Sequence, residues 1–346
     1  MREHAERLWY GRGTGARLVR AALWPAASIF RSAVWARNRC YDSGILRVRE
    51  GAIPAVCVGN ITVGGTGKTP VAAWIAAELA RRGARPAIVL RGYGDDEPLV
   101  HQRLNPGLPV VAAPDRLAGL EEARRRGADV AVLDDAFQHR RVARLADVVL
   151  VAAEHGLEHT RLLPAGPYRE PVSALRRASL VVVTRKTAAA AEAAEVLARA
   201  TGISGTPGAV VHLAPEGLRP VSAEAGPMPL SALEGRRVLL LTGVGEPGLL
   251  ADQLAAFGAS VDLRAYPDHH AFTDAELEEA AAAGVRDGAL VACTLKDAVK
   301  IGARWPGPAT LWYVSQRLTV DRGMEPLSRM LDAAAAAKRS HPPTAG

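Results

Sequence analysis

The chain has 346 residues, enough for two domains of ordinary size, and its 49% hydrophobic and 23% charged residues exclude a disordered or fibrous protein. Ten arginines and four acidic residues within positions 1–50 supply +6 of the net charge of +7, so the other 296 residues carry only +1. This distribution argues against a general nucleic-acid-binding protein and for one basic segment. The three cysteines, Cys40, Cys57 and Cys293, have neither metal-ligand nor disulfide-framework spacing, which favours a reducing, cytosolic setting.

The N-terminal segment combines arginines with large apolar side chains. Three of the chain's six tryptophans, Trp9, Trp24 and Trp35, lie within it. Its central uncharged run, 21–30, has ten residues, whereas a membrane-spanning helix needs about 20. Arginine beside tryptophan is typical of a helix that lies in a membrane interface, here kinked at Pro25. The alternative is an ordinary amphipathic helix packed on the protein, and composition alone leaves both open.

The first chemical motif is the sequence VCVGNITVGGTGKT at 56–69. A short apolar strand from Ala55 enters the glycine-rich turn, and a helix is predicted over Val71–Arg82. Glycines let backbone N–H groups turn toward an anion, and the start of a helix favours negative charge, so this unit predicts a phosphate-binding loop. Lys68 would reach the outer phosphates and Thr69 would bind Mg²⁺. The residues expected at the nucleotide are Asn60, Thr62, Val63, Gly64, Gly65, Thr66, Gly67, Lys68, Thr69 and Pro70.

This loop departs from both common forms of the motif. Thr62 stands where the strict pattern has glycine, and Val63 stands where the GGxGKT form usually begins with lysine. A glycine-rich turn without a ligand is therefore the alternative. The agreement of strand, loop, Lys-Thr pair and helix favours the phosphate site.

Two further strand ends carry acidic residues. The strand Pro86–Leu90 precedes residues 91–98, RGYGDDEP, whose glycines and acids predict a loop. The apolar strand Asp129–Leu133 leads into Asp134 and Asp135, an arrangement that holds Mg²⁺ in phosphoryl-transfer enzymes, with helix capping as the alternative. Loops at the carboxyl ends of parallel strands line the ligand crevice. The acidic stretch at 91–98 is thus either part of a site or a solvated turn.

The first half of the chain continues with a strand over Asp147–Ala152 and the loop LLPAGPYREP at 162–171. Its prolines make this loop stiff, so it either holds Arg169 toward an anion or serves as a structural turn. Further strand and helix patterns follow over Leu180–Thr184, Ala188–Ala200 and Ala209–Leu213.

Residues 214–235 contain four prolines and no clear period, which predicts a linker. A strand then leads into the turn TGVGEP at 242–247, either a second nucleotide-type turn or a plain tight turn. His269 and His270 follow Asp268 in a loop, where a metal site and acid–base chemistry both remain open. The other predicted elements are strands at Arg236–Leu241, Val261–Ala265, Leu290–Cys293 and Thr310–Val314, and helices ending near Phe257, Ala283 and Lys338.

Strands alternate with helices on both sides of the predicted linker, which indicates an α/β fold. We expect a P-loop NTPase-like parallel-sheet domain plus a second, smaller Rossmann-like α/β domain. The expected boundaries are 1–50 for a basic amphipathic membrane-associated segment, 51–213 for the P-loop kinase domain, 214–235 for the linker and 236–340 for the C-terminal domain.

Taken together, the motifs closely resemble the tetraacyldisaccharide 4′-kinase family, the lipid A 4′-kinases. The segments that carry the resemblance occur in family order: GNITVGGTGKTP (59–70), RGYG (91–94), DEP (96–98), DR (115–116), LDDAFQHR (133–140), LLPAGPYREP (162–171), YPDHHAFT (266–273) and TLKDAVK (294–300). The resemblance implies ATP-dependent phosphorylation of the 4′-hydroxyl of a tetraacyldisaccharide 1-phosphate in lipid A biosynthesis. It also implies that the C-terminal domain closes over the nucleotide.

The resemblance further implies roles for individual residues. Asp96 is the expected catalytic base, with His269 as its charge partner and Lys68 as a catalytic phosphate ligand. The remaining expectations are ATP and Mg²⁺ as cofactors, Thr69, Glu97, Asp134 and Asp135 at the metal, and Tyr93, Arg116, Gln138, His139 and Arg169 at the substrate. The expected partners are the lipid A disaccharide precursor and anionic lipid of the inner membrane. We expect a monomer without nucleic acid, bound peripherally or monotopically at the cytoplasmic face of the bacterial inner membrane.

Three departures from the family pattern stand out. The insertion that usually separates RGYG from DEP is absent, Ala136 replaces a common glycine, and Leu295 replaces a common glutamate. Two other functions compete with the lipid kinase: a P-loop kinase for a soluble sugar or metabolite, and a nucleotide-switch protein such as a GTPase-like metallochaperone. The segment 294–297, TLKD, comes near a guanine-reading motif, so ATP and GTP stay open on that segment alone.

Overall fold

The computed structural model describes residues 8–11, 13–92, 96–158, 160–222, 225–307 and 309–337. Its strands are β1 Ala55–Asn60, β2 Pro86–Leu90, β3 Val110–Ala112, β4 Val130–Asp134, β5 Ala146–Ala152, β6 Leu180–Arg185, β7 Gly208–Pro220, β8 Met228–Pro229, β9 Arg237–Thr242, β10 Ser260–Ala265, β11 Leu290–Thr294 and β12 Leu311–Arg322. Its helices are α1 Thr14–Ala22, α2 Trp24–Asp42, α3 Lys68–Arg81, α4 Asp96–Leu104, α5 Arg116–Arg125, α6 Ala190–Ser204, α7 Pro247–Ala255, α8 Asp274–Arg286, α9 Leu295–Ile301 and α10 Met324–Ala337.

The strands form one continuous sheet in the order β10-β9-β11-β12-β7-β6-β5-β1-β4-β2-β3, with β8 paired to β7. Neighbours along this path are parallel except β12 and β7, which are antiparallel. The strands β1 to β7 form the first half of the sheet, and β9 to β12 form the second half. An α/β fold with parallel strands in both halves, as the sequence predicts, is thus confirmed.

The long antiparallel pair β7 and β12 sets how the two halves face each other. In the first half, β7 runs beside β6 and continues past the end of β6 to Pro220. In the second half, β12 runs beside β11 and continues past Thr294 to Arg322, where it meets the start of β7. The carboxyl ends of both sets of parallel strands therefore face each other, and ligands bind at such ends.

Apolar residues of the central strands are buried on both faces of the sheet, as parallel sheets covered by helices require. In the first half, β1 is fully buried along its whole length, and α3 packs Ile75 and Leu79 against it and its neighbours. The second half has its own two buried clusters, around Leu277 and Leu254. The functional loops at the sheet edge are thus supported by rigid, close-packed elements.

Three sequence-based predictions need correction. Residues 96–98, predicted as part of a loop, are the first turn of helix α4. The positive end of the helix dipole stabilises the negative charges of Asp96 and Glu97 there. Pro98 is tolerated because a backbone N–H in the first turn has no partner within the helix. Residues 214–220, predicted as linker, extend β7, because β12 supplies the hydrogen-bonding partner. The N-terminal helix is not kinked within its length at Pro25, because α1 and α2 are separate helices that meet at Leu23.

The N-terminal helices expose large apolar side chains. Trp24 is 69% exposed, Ile29 is 72% exposed and Trp35 is 68% exposed. Another side of α2 contacts the rest of the protein, because Asn38 donates a hydrogen bond to the fully buried Glu170 at 2.7 Å. No helix within the described part of the chain has the length and hydrophobicity needed to cross a membrane.

Candidate active site

The phosphate-binding loop predicted at 64–69 has its own network of polar contacts. Asn60, at the end of β1, donates a hydrogen bond to the Thr66 hydroxyl at 2.8 Å. Thr184, at the end of β6, donates to the Thr66 carbonyl at 3.0 Å, and Lys186 donates to the Gly65 carbonyl at 2.8 Å. The ends of two strands, β1 and β6, therefore hold the loop, and its backbone shape is largely set before a ligand arrives.

Gly67 caps helix α3 in a conformation that requires glycine. Its φ of +76° lies in the left-handed region, and an added Cβ would come 2.4 Å from Leu213 Cδ1. The helix begins at Lys68, with Thr69 and Pro70 in the first turn. Its N-terminal amides therefore point toward the loop, where an anion would be stabilised by the helix dipole.

Lys68 lies beside a second basic residue and a shared carboxylate. Its Nζ is 3.9 Å from Asp135 Oδ1, and Arg169 Nη1 donates to both Asp135 oxygens at 3.0 and 3.1 Å. Burial lowers the pKa of Lys68, and the charge of Asp135 opposes that change. Asp135 thus holds two cations at the loop, and both cations are suited to phosphate oxygens.

Asp134, the last residue of β4, is fully surrounded by protein. Its Oδ2 is 2.9 Å from Nε2 of His101, which is itself fully buried in α4. Burial alone would raise the pKa of Asp134, but the hydrogen bond and charge of His101, together with Lys68, hold it below the usual value. Asp134 Oδ1 is buried and has no hydrogen-bond partner among the described residues.

Asp96 and His269 meet across the two halves of the chain, as the motifs predict. Nδ1 of His269 is 3.0 Å from Asp96 Oδ2. Asp96 is buried at the start of α4, whereas the His269 side chain is 45% exposed. The carboxylate of this pair is therefore enclosed by protein, while the imidazole is partly exposed.

The second half holds His269 through its backbone. The His269 N–H donates to the Gly243 carbonyl at 3.0 Å. The Gly243 N–H in turn donates to the buried carboxylate of Asp297 at 3.2 Å, and Thr294 donates to the same carboxylate at 2.7 Å. Hydrogen bonds thus connect the motifs at 242–247, 266–273 and 294–300 to one another. The turn at 242–247 lies between the other two motifs and holds the backbone of His269 in place.

His269 and Asp135 share an unusual backbone conformation. They are the two non-glycine residues with positive φ in the described part of the chain, at +60° and +50° respectively. Such conformations are uncommon for residues with a side chain and persist where surrounding contacts enforce them, as at functional sites. The other histidine of the pair, His270, binds Glu276 at 3.0 Å and supports the start of α8.

The residues expected at the acceptor substrate occupy different environments. Arg116 is almost fully buried and donates to the Ala113 carbonyl at 2.7 Å, and its Nε has no partner among the described residues. Burial and the charge of Arg116 lower the pKa of His139. Gln138 donates to the Asn60 carbonyl at 2.8 Å and so supports the end of β1. Tyr93 lies outside the described residues.

Glu97 is the fourth acidic candidate for the metal. Burial and the nearby charge of Asp134 raise its pKa, while Lys296 from the second half opposes the rise. Within the described ranges, no group of three or more His, Cys, Asp or Glu residues could by itself enclose a metal ion. Mg²⁺ in nucleotide sites typically uses one or two carboxylates plus phosphates and water, so the buried Asp134 Oδ1, which has no partner among the described residues, suits such an ion.

Sequence reasoning missed three residues of this region, namely His101, Lys186 and Lys296. Lys186 follows directly after strand β6, a position that faces the ligand edge in a parallel sheet and was a usable signal. Lys296 lies within the motif 294–300 but was not assigned a role. His101 gave no signal, because its position depends on residues 96–98 being a helix.

Comparison with known proteins identifies the family. The model for tetraacyldisaccharide-1-P 4′-kinase matches residues 19–97 and 94–336. A tetraacyldisaccharide 4′-kinase from an Anaeromyxobacter species is 39% identical over 96% of both chains, and one from Alkalilimnicola ehrlichii is 35% identical over 89% of this chain and 90% of that one. A crystal structure of LpxK from Aquifex aeolicus in complex with ATP matches with a TM-score of 0.72 and 26% identity, covering 91% of this chain and 99% of that chain. The chain therefore belongs to the tetraacyldisaccharide 4′-kinase family.

Proposed function

We propose that the protein transfers the γ-phosphoryl group of ATP to the 4′-hydroxyl of a tetraacyldisaccharide 1-phosphate in lipid A biosynthesis. The observation that carries this proposal is the contact between Asp96 and His269, which joins the half of the chain that contains the P-loop to the second half. Relatives of 35–39% identity that cover most of the chain bear the name of this kinase. Family membership disfavours both the soluble-metabolite kinase and the nucleotide switch.

The first task of the protein is to bind the phosphates of ATP. The amides of the loop at 64–67 and the start of α3 surround the place of the β- and γ-phosphates, and Lys68 adds a positive charge. Arg169 is held by Asp135 at 3.0 Å, so its guanidinium is already oriented toward the same region. Positioning and charge neutralisation are the main demands of phosphoryl transfer, and these residues meet both.

The second task is to accept the proton of the attacking 4′-hydroxyl. Asp96 is the base in this proposal, because its Oδ2 is fixed by His269 at 3.0 Å while Oδ1 takes the proton. His269 orients the carboxylate and supplies the contact from the second half. The base is therefore fully positioned only when both halves of the chain come together.

Mg²⁺ bound with ATP would supply positive charge that neutralises the charge developing on the phosphates during transfer. Thr69, Glu97, Asp134 and Asp135 are the residues we propose to hold it. Of these, Asp134 has the strongest support, since its buried Oδ1 has no partner within the described ranges. The hydroxyl of Thr69 lies in the first turn of α3, the place that P-loop enzymes use for this ligand.

The acceptor carries a phosphate and acyl chains, and each needs its own contacts. We assign Arg116, His139 and Arg169 to the charged headgroup and phosphates because they cluster around the Asp134–Asp135 strand end. Gln138 contributes indirectly, by holding Asn60. The proposal retains Tyr93, which follows β2 in the sequence, as an acceptor contact.

The membrane surface is the place where such an acceptor resides. Helices α1 and α2 expose Trp24, Ile29 and Trp35 among arginines, and this combination suits peripheral docking on anionic lipid at the cytoplasmic face of the inner membrane. Asn38 and Arg37 fix the other side of α2 to Glu170. We propose that the protein works there as a monomer, without nucleic acid, and that residues 1–50 form its docking segment.

The test is incubation of the purified protein with labelled ATP, Mg²⁺ and a tetraacyldisaccharide 1-phosphate in detergent micelles. The expected result is a lipid product that carries label at the 4′ position. Lys68→Ala is the control variant, and we expect it to give no product because the phosphates lose their only lysine in the loop. Label transfer that persists in Lys68→Ala, or its absence in the wild type with Lys68 intact, would overturn the proposal.

A further inference from the structure

We propose that His101 is a positioning residue for phosphoryl transfer. It fixes the Asp134 carboxylate by one oxygen and so presents the other oxygen to the metal–nucleotide site. The proposal rests on the proposed function, because it concerns the same site. It adds a residue that lies outside the family-like motifs, since the DEP motif ends at Pro98.

The contact itself is short and fully enclosed. Nε2 of His101 lies 2.9 Å from Asp134 Oδ2, and the exposed fractions of the two side chains are 0% and 5%. An ionised carboxylate accepts hydrogen bonds and does not donate, so Nε2 carries the proton of this contact. His101 therefore occupies Oδ2 of the Asp134 carboxylate, and Oδ1 is the oxygen left for a metal ion.

The remaining polar atoms of the pair argue against a purely structural role. Asp134 Oδ1 and His101 Nδ1 are both buried without a hydrogen-bond partner among the described residues. Buried polar atoms without partners are costly, and leucine would fill the place of His101 in α4 without that cost. A site that keeps Oδ1 free is useful when an incoming cation completes the arrangement.

Helix α4 connects this pair to the rest of the active site. It begins at Asp96, which contacts His269 of the second half, and His101 follows on the buried side of the helix. Near its end, Asn105 donates to the Ala73 carbonyl of the P-loop helix at 3.0 Å. One helix thus joins the proposed base, the Asp134 carboxylate and the helix that follows the P-loop.

Removal of the His101 hydrogen bond should weaken cation binding more than acceptor binding. Residues that orient a metal ligand typically change metal affinity or activity by about 10- to 100-fold when mutated. In His101→Leu, Asp134 would be free to rotate. We therefore expect at least a roughly tenfold rise in the Mg²⁺ concentration needed for half-maximal turnover, with the KM for the lipid acceptor nearly unchanged.

A binding measurement makes the test independent of turnover. Mn²⁺ binding to the full chain with a non-hydrolysable ATP analogue is followed by electron paramagnetic resonance. We expect weaker Mn²⁺ binding in His101→Leu and near-normal binding in His101→Gln, whose amide N–H can still reach Asp134. Val100→Ala is the matched control, because this neighbour is 3% exposed and its side chain has no polar atom. Its Mn²⁺ affinity should equal that of the wild type.

Equal Mn²⁺ affinity in wild type and His101→Leu would overturn the positioning role. If His101→Leu does not fold, His101→Asn replaces it, since its shorter amide cannot span the contact, and the Gln variant must then bind Mn²⁺ more tightly than the Asn variant. Equal affinity in the Gln and Asn variants also overturns the proposal. Failure of the proposed function would appear separately, as a wild type that binds Mn²⁺ and nucleotide but phosphorylates no lipid.

Discussion

Replacement of Glu246 by glutamine tests how strongly the second half of the chain is held against the P-loop. Glu246 lies in the turn before α7, and its carboxylate contacts His155 Nε2 at 2.6 Å and Lys186 Nζ at 3.1 Å. Lys186 also donates to the Gly65 carbonyl at 2.8 Å. A single carboxylate from the second half therefore reaches the phosphate loop through one lysine.

The magnitude follows from the pKa of Glu246. Burial would raise this pKa, but His155 and Lys186 outweigh burial and lower it from 4.5 to about 2. That difference corresponds to about 3 kcal/mol of preference for the charged form in the folded state. The pKa of His155 is raised because its Nε2–H donates a hydrogen bond to the Glu246 carboxylate. The pKa shifts of Glu246 and His155 arise from the same contact, so the corresponding free energies are not added.

The pH dependence has a definite sign. The contribution of Glu246 is present above its ordinary pKa of 4.5 and is lost as the pH falls toward about 2. The contribution of His155 is complete below its ordinary pKa of 6.5 and is lost as the pH rises through the raised value in the folded state. The stability difference between wild type and Glu246→Gln should therefore be largest between pH 4.5 and 6.5 and shrink on both sides.

Urea unfolding of both proteins at pH 5.5, 7.5 and 9 gives the measurement. We expect Glu246→Gln to lower the free energy of unfolding at pH 5.5 by about 1–3 kcal/mol, since glutamine keeps some hydrogen bonding but not the charge. Glu278→Gln, an exposed change on α8 of the same half, is the control and should have little effect. A difference that is absent at pH 5.5, or constant across the three pH values, would refute the reasoning.

Two predictions concern the proposed function directly. Asp96→Ala should lower kcat by about 100- to 10,000-fold with little change in the KM for ATP, because the proton acceptor is lost while the phosphate loop is intact; steady-state kinetics checks this, and an effect on KM alone would remove Asp96 as the base. The double variant Trp24→Ser/Trp35→Ser should float less with anionic vesicles, because both side chains are more than two-thirds exposed. Point changes are preferable to deletion of residues 1–40, which would also remove Asn38 from the buried Glu170. Flotation equal to that of the wild type would contradict the docking role.

Much of the sheet was predictable from the sequence because buried parallel strands are continuous apolar runs. Residues 55–58, 86–90 and 180–184 show such runs, and all three lie in strands. The approach of Asp96 to His269 was predictable for a different reason, since it followed from resemblance to a family and not from local pattern. Local pattern gave only a glycine-rich acidic stretch and a histidine pair.

The start of α4 shows where local reasoning failed. Glycines at 92 and 94 and the acids that follow indicate a loop, yet the helix begins at Asp96, because acids and proline are favourable in a first helical turn. Once this helix is known, His101 lies on its buried side and its contact with Asp134 follows. Without the helix, His101 is an isolated histidine in the sequence. The error in one boundary therefore hid a candidate functional residue.

The extension of β7 to Pro220 could not be predicted for a related reason: the strand exists because β12 pairs with it from about 100 residues further along the chain. This antiparallel pair also accounts for the site. If β12 ran parallel to β7, the carboxyl ends of β9 and β11 would point the same way as those of β1 and β4, and the loop of His269 would lie away from Asp96. Because the strand direction reverses between β7 and β12, the carboxyl ends of the parallel strands in the two halves face each other. The 3.0 Å contact between His269 and Asp96 is thus a consequence of strand direction as much as of the residues that make it.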